Sequence, residues 1–284
     1  MIKRQKRVAA IHDISGFGKC SLTVALPIIS AAGIETAVMP TAVLSTHTGG
    51  FTGFTYRDLT EDLLPFIQHW KSLDLRFDAI YTGFLGSFEQ LDIVTEFFRT
   101  FKDDSNLIMV DPVMADNGEL YSIFSHEFAM GMKKLCEKAD IIIPNITEAS
   151  LLVEEKYNPG PYTEAYIEEL LLKLSQLGPK KIVLTGVFFH DAHLGAATYD
   201  STVNEVTYAF SERIPGYYHG TGDVFGSALL SALLNDFSLH RSAEIAVNFT
   251  TASIRRTAEA KTDIRFGVNF EQCIPDFLKE LKLL

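Results

Sequence analysis

Short apolar runs rich in Val and Ile alternate along the chain with longer segments in which apolar residues return every three or four positions. That is the pattern of a mostly parallel sheet with helices on its faces. The runs predict strands at 7–12, 35–43, 78–82, 106–110, 140–143 and 180–184. The periodic segments predict helices at 21–32, 58–71, 87–101, 125–137, 146–154, 162–176, 222–235, 239–257 and 270–281, several opened by a residue able to cap a first turn. Residues 194–200 and 204–210 alternate apolar and polar around Asp200, Ser201 and Asn204, which predicts a late antiparallel hairpin. Pro and Gly cluster only at 158–161, too briefly for a linker, so residues 1–284 read as one α/β domain without repeats.

Composition narrows the classes. With 47% hydrophobic and 21% charged residues, the 284-residue chain is neither disordered, collagen-like nor a coiled coil. A formal charge of −11 argues against nucleic acid or an anionic membrane as partner, so any anionic ligand must be held by local features. Cys20, Cys136 and Cys273 lie more than a hundred residues apart and form no C-x-x-C pair, which predicts a reducing compartment. The basic start is followed by an apolar stretch, Val8 to Ile11, broken at His12 and Asp13 and too short for a signal peptide, and no run approaches the roughly 18 apolar residues of a membrane span. A cytoplasmic protein is expected.

Ligands of open α/β sheets gather at the carboxyl ends of strands. The predicted ends carry Asp13-Ile-Ser-Gly-Phe-Gly, Ser45-Thr-His-Thr-Gly-Gly, Thr82-Gly-Phe-Leu-Gly, Asp111-Pro-Val-Met, Pro144-Asn-Ile-Thr-Glu and Thr185-Gly. Any one of these is an ordinary turn composition, but six on one edge predict a site. Gly16-Phe-Gly18-Lys-Cys-Ser fails as a dinucleotide fingerprint, because Ser21 replaces the third glycine and the only acidic candidate, Glu35, begins its strand. It fails as a P-loop because Asp13 and Cys20 replace the first glycine and the metal-binding hydroxyl. His190 and His193 lack a third metal ligand and read as a solvated turn, and Cys20 and Cys136 read as buried small residues within helices.

The strongest stretch is Pro215-Gly-Tyr-Tyr-His-Gly-Thr-Gly-Asp-Val-Phe-Gly-Ser, ending at Ser227. Gly220 and Gly222 let the backbone turn tightly and aim successive N–H groups one way, and the helix beginning near Gly222 adds its positive end. That is an anion cradle. Asp223 falls in the first turn of the helix, beside any bound phosphate, which suits a general base; complementing the helix dipole is its plainer role.

Gly220-Thr-Gly-Asp223 ahead of a small-residue helix resembles the signature of the ribokinase-like superfamily, and Asp111-Pro-Val-Met with Pro144-Asn145-Ile-Thr-Glu148 is similar to its vitamin-kinase branch. Ser15-Gly, Thr46-His47-Thr48-Gly49 and Thr82-Gly83 resemble the pyridoxal kinases (pyridoxine/pyridoxamine kinases) in order and spacing over residues 7 to 280. The resemblance implies ATP-dependent phosphorylation of the 5′-hydroxymethyl of pyridoxal, pyridoxine or pyridoxamine. Asp223 would accept the hydroxyl proton, with a carboxylate pKa near the ordinary value of about 4, while the amides of Gly220, Thr221 and Gly222 hold the transferring phosphoryl.

The resemblance further implies Mg²⁺ at Asp111 and Glu148, acting largely through water, with Asn145, Glu148 and Thr185 on ATP. Capping is the other reading of the two acids, Asp111 before Pro112 and Glu148 in a capping box at 146. Ser15, His47, Thr48, Phe84 and Tyr121 would face the vitamin. Ser15 as a turn cap and His47 as a loop histidine satisfied by its neighbours are alternatives. Phe84 stands where many relatives have Tyr, so stacking survives there and a hydrogen bond does not. A homodimer is implied, and a monovalent cation such as K⁺ is left open. The alternatives in function are a hydroxymethylpyrimidine kinase, opposed by Ser15 and Thr46-His47-Thr48, and a non-catalytic pyridoxal phosphate or nucleotide carrier, which needs no base.

Overall fold

A computed structural model describes residues 4–284. Six strands run parallel in the order β2 (Glu35–Leu44), β1 (Arg7–Ser15), β4 (Ala79–Thr82), β5 (Leu107–Val110), β8 (Ile141–Ile142) and β9 (Lys181–Val187). The short β3 (Tyr56–Asp58) closes one edge antiparallel to β2, and β10 (His193–Asp200) with β11 (Glu205–Glu212) closes the other as the expected hairpin. A separate hairpin joins β6 (Ala115–Asp116) to β7 (Glu119–Leu120).

Two apolar layers sandwich the sheet, and the period of two along each strand assigns residues between them. Ala9, Ile11, Ile80, Ile108, Val110 and Ile182 face the layer of α2 (Thr60–Ser72), α3 (Phe88–Phe101), α4 (His126–Cys136), α5 (Ile146–Leu152) and α6 (Glu164–Ser175). Val8, Ala79, Tyr81, Met109 and Val183 face the layer of α1 (Leu22–Ala31), α7 (Thr221–Leu234), α8 (Leu239–Ala260) and α9 (Ile274–Glu280). Because both faces are covered, the parallel strands carry continuous apolar runs rather than a polar alternation. Strand order reverses between β1 and β4, so the switch point of the sheet lies at their carboxyl ends, and the site is built there. No helix among the described residues is long and apolar enough to cross a membrane.

Several expectations needed revision. The strand expected at 7–12 continues to Ser15, which places Asp13 and Ser15 inside β1 rather than in a loop. β9 runs through Thr185 and Gly186; Gly186 (φ 77) is a bulge, opposite which β10 steps from Gly195–Val187 to Ala196–Thr185 pairing. Cys20 precedes α1 instead of lying in it, whereas Cys136 is buried in α4. The helix expected at 270–281 is a 3₁₀ turn, Glu271–Cys273, followed by α9, whose first turn accommodates Pro275. Helix 58–71 begins only at Thr60, because Asp58 ends β3 and accepts the Thr60 N–H at 2.7 Å. Strands β3, β6 and β7 have two or three residues each, too few to display a period.

Candidate active site

The glycine-rich stretch enters α7 as expected, with a different division of labour between its glycines. Gly220 is the N-cap, in the left-handed region at φ 75, and a Cβ there would collide with the Lys19 carbonyl oxygen. Gly222 has no such φ, and a Cβ built on it meets nothing within 4 Å, so the first turn of α7 opens onto free space. The first N–H groups of a helix have no partner within it, and here they face that space with the positive end of a 14-residue helix behind them. The wall opposite is the 18–21 loop after β1, bent tightly at Gly18 (φ 109), Lys19 (φ 54) and Ser21 (φ 57). A non-glycine residue in such a conformation costs about 1–3 kcal/mol and persists only where its surroundings hold it. Ser21 is held by Asp13, whose Oδ1 accepts its hydroxyl, and by the Asp223 carboxylate, which takes its backbone N–H.

Asp223 lies in the first turn of α7 with 15% of its side chain exposed. Burial, reinforced by the nearby charge of Asp13 and opposed by the Ser21 amide, raises its pKa to about 7. The ordinary carboxylate value expected from the sequence is therefore corrected: tertiary burial brings the Asp223 pKa close to neutral. Asp13 is itself buried, and its Oδ2 accepts the Ser15 hydroxyl at 3.0 Å. The sequence reading had no role for Asp13 beyond a missing P-loop glycine, and its position at the end of β1 was the available signal. Ser15 has spent its proton internally, so only its lone pairs are left for a ligand.

The second acidic pair is built differently. Asn145 caps α5 by accepting the Glu148 N–H at 2.9 Å, and Glu148 Oε2 accepts the Asn145 N–H at 2.9 Å, forming the capping box that was the alternative reading. Glu148 Oε1 accepts the Met114 N–H at 3.1 Å, and the Asn145 amide donates to Ala115 O. Glu148 is thus fastened at both oxygens; burial nevertheless raises its pKa to about 8. Asp111, also buried, accepts no side-chain hydrogen bond from a described residue, and burial together with the charges of Glu148 and Asp223 raises its pKa well above the carboxylate range. A buried carboxylate with no donor beside a second acid calls for a proton or a cation. The pair fits Mg²⁺, which keeps most of its waters and needs few protein ligands, and no described cluster of three His, Cys, Asp or Glu forms a full cage. Thr185 sits beside Asn145, its N–H and hydroxyl both directed at Pro144 O.

On the side expected to hold the vitamin, His47 is buried with both ring nitrogens engaged: Nδ1 accepts the Gly49 N–H at 3.0 Å, and Nε2 donates to Arg265 O at 2.6 Å. Burial lowers its pKa, and the ring braces the loop against Gly18, where a Cβ would strike it. His47 therefore matches the loop-histidine alternative and has no free nitrogen for a ligand. Thr48 beside it is exposed with an unbonded hydroxyl. Phe84, two residues beyond the end of β4, packs on Phe124 at 5.7 Å, and half-exposed Tyr121 lies in the field of Glu148 and Asp111. Two neighbours had no sequence signal. Tyr217, from the stretch before the cradle, donates to Asp116 of β6 at 3.0 Å, and the His219 ring stands 4.9 Å from that of His47.

A carboxylate poised at a helix N-terminus, an open amide cradle and an unbonded acid at the next strand ends are the parts of a phosphotransferase. The model of the phosphomethylpyrimidine kinase family matches residues 26–267. The chain belongs to this family. A protein from Bacteroides thetaiotaomicron assigned as a phosphomethylpyrimidine kinase, in its orthorhombic crystal form with pyridoxal, is 38% identical, with 96% of each chain covered and a TM-score of 0.92. The pyridoxal kinase of Lactobacillus plantarum is 30% identical, with 98% of each chain covered and a TM-score of 0.88. The pyridoxal kinase of Arabidopsis thaliana is 28% identical over 258 residues, 87% of this chain and 80% of that one. The likeness extends over nearly the whole chain, so this family member carries the single-domain α/β kinase fold that the strand-end motifs implied.

Proposed function

We propose that this protein transfers the γ-phosphoryl of ATP to the 5′-hydroxymethyl of a B6 vitamer: pyridoxal, pyridoxine or pyridoxamine. The observation that carries this reading is Asp223, a largely buried carboxylate with its pKa raised to about 7, placed in the first turn of α7 beside open space. As the hydroxyl oxygen forms its bond to the γ-phosphorus, the O–H bond breaks and its proton passes to Asp223, while the bond to the β-phosphate oxygen breaks and ADP leaves with that electron pair. The N–H groups of Gly220, Thr221 and Gly222 hold the charge spread over the moving phosphoryl. Asp111 would hold Mg²⁺ through water, with Glu148 adding its charge from a fixed position; bound there, the ion would neutralise phosphate oxygens. Asn145 and Thr185 line the same strand ends on the ATP side, and Ser15, Thr48, Phe84 and Tyr121 the vitamin side, with His47 bracing its loop.

The pyridoxal in the crystals of the 38% identical Bacteroides protein supports a B6 substrate. The family model's own description, phosphomethylpyrimidine kinase, keeps a pyrimidine as the competing substrate class. A coupled ADP-release assay with each vitamer and with hydroxymethylpyrimidine decides between them: release with a vitamer only is expected, and release with the pyrimidine only would overturn the assignment. The reading includes a cytoplasmic location, supported by three free cysteines, and a homodimer, which rests on the resemblance and is checked by sedimentation. Rate measurements with K⁺ replaced by Na⁺ check the monovalent ion.

A further inference from the structure

Directly beneath Asp223 lies a polar group to which the reaction as described gives no task. His12, in β1, is completely buried, and among the described residues neither ring nitrogen has a hydrogen-bond partner. Its Nδ1 is 4.0 Å from Asp223 Oδ1, and its ring meets Tyr81 of β4 edge-on at 4.4 Å. Space for this pair is cleared from two other elements. A Cβ on Gly83 would collide with His12 Nδ1, and a Cβ on Gly226 of α7 would collide with the Tyr81 hydroxyl. An apolar residue would fill the His12 position without an unmet donor or acceptor, since Val8, which precedes it on that face, lies wholly within the apolar layer.

We propose that His12 is a positioning residue for Asp223: with substrate bound, the 4.0 Å gap closes, Nδ1–H donates to Oδ1, and Oδ2 is left aimed at the substrate hydroxyl. The inference rests on the reading of Asp223 as the base. Burial keeps the imidazole neutral, with a pKa of about 3, so the ring acts as an uncharged donor and takes no proton from Asp223. Other groups set the charge around Asp223: Asp13 from β1, Cys20 and the Ser21 N–H from the 18–21 loop, and Asp111 and Tyr81 at the ends of β5 and β4. Among these the Ser21 amide already donates to the carboxylate, and His12 supplies a second donor from the opposite element.

A donor to the ionised form favours ionisation, so its removal moves the acid limb of kcat, which reports the substrate-bound enzyme, to higher pH. His12→Leu is expected to lower kcat about tenfold or more and to raise the acid limb by about one pH unit, with KM for both substrates little changed. His12→Asn, whose amide nitrogen takes the place of Nδ1, is expected to restore both rate and limb. An unshifted limb in His12→Leu, or a His12→Asn variant as slow and as shifted as His12→Leu, would overturn the proposal. If His12→Leu does not fold, His12→Asn decides: it must keep the parent limb, and loss of activity in it without loss of thermal midpoint overturns the role. Asp223→Asn serves as the separate control, because full activity there sinks the base assignment whatever His12 does.

Discussion

Two pairs of buried acids stand at the carboxyl edge of the sheet, and each divides its tasks in the same way by different means. In the pair at the switch point, Asp13 is tied at both oxygens by the hydroxyls of Ser15 and Ser21, and Asp223 stands in the first turn of α7, which opens onto free space at Gly222. In the pair at β5 and α5, Glu148 is tied at both oxygens by the amides of Met114 and Asn145, while Asp111 has no side-chain donor among the described residues. One member of each pair holds a loop in shape, and the other is left under-bonded where a ligand can reach it. An under-bonded buried carboxylate is costly, and it is to Asp223 and Asp111 that the proposed function gives its chemistry, while Asp13 and Glu148 hold structure. Asp13 is bound by the hydroxyls of Ser15 in β1 and Ser21 in the bent 18–21 loop, whereas Glu148 is bound by the backbone N–H groups of Met114 and of the helix cap Asn145.

The largest expected effect is at Asp223. Asp223→Asn removes the base and should lower kcat by about 10²-fold or more without lowering the thermal midpoint. Its pKa is raised from 3.8 to about 7, so between those values the folded chain keeps a proton that the unfolded chain has lost, and stability falls as pH rises through that window. The Asn variant should therefore melt above the parent at pH 8 and close to it at pH 4, a difference read directly from melts at the two pH values. Near-parental turnover in this variant would break the division between tied and free acids at its strongest point.

The other pair is sharpened by two amides compared side by side. Glu148→Gln keeps only one acceptor for two buried N–H groups and should cost about 1–3 kcal/mol of stability. Asp111→Asn breaks no hydrogen bond, so its midpoint should hold while the Mg²⁺ concentration for half-maximal rate rises. Rate against Mg²⁺ and thermal melts on both variants separate the roles, and a shifted metal curve for Glu148→Gln alone would reverse them. For Asp13→Asn, the expectation is a loss of about 0.5–1.5 kcal/mol, as one serine bond goes, and an acid limb of kcat/KM moved to lower pH, since a like charge beside Asp223 has been removed. The smallest effects test the same distinction among hydroxyls. Ser15→Ala should lower the midpoint, whereas Thr48→Val should leave it unchanged and raise KM for the vitamer by about threefold to tenfold, the worth of one hydrogen bond.

The alternation of apolar runs and helical periods determined the layer order, the parallel sheet and its closing hairpin, because burial on both faces of a sheet needs those patterns locally. The start of α7 was equally legible, since Gly220 occupies its N-cap and Asp223 its first turn. Strands of two or three residues, such as β3 and β6, were invisible because they owe their form to a neighbouring strand rather than to their own sequence. Only the tertiary structure decided which polar residues are spent on the protein and which are free. Ser15 and Thr48 are both hydroxyls at strand ends, yet one is bonded to Asp13 and the other is exposed. His47 and His12 are both buried, yet among the described residues one has both nitrogens satisfied and the other neither. Hydrogen-bond partners and burial come from segments far apart in the chain. Asp223, an ordinary carboxylate in sequence, has its pKa raised to about 7 only by tertiary burial, with the charge of Asp13 beside it and against the Ser21 amide.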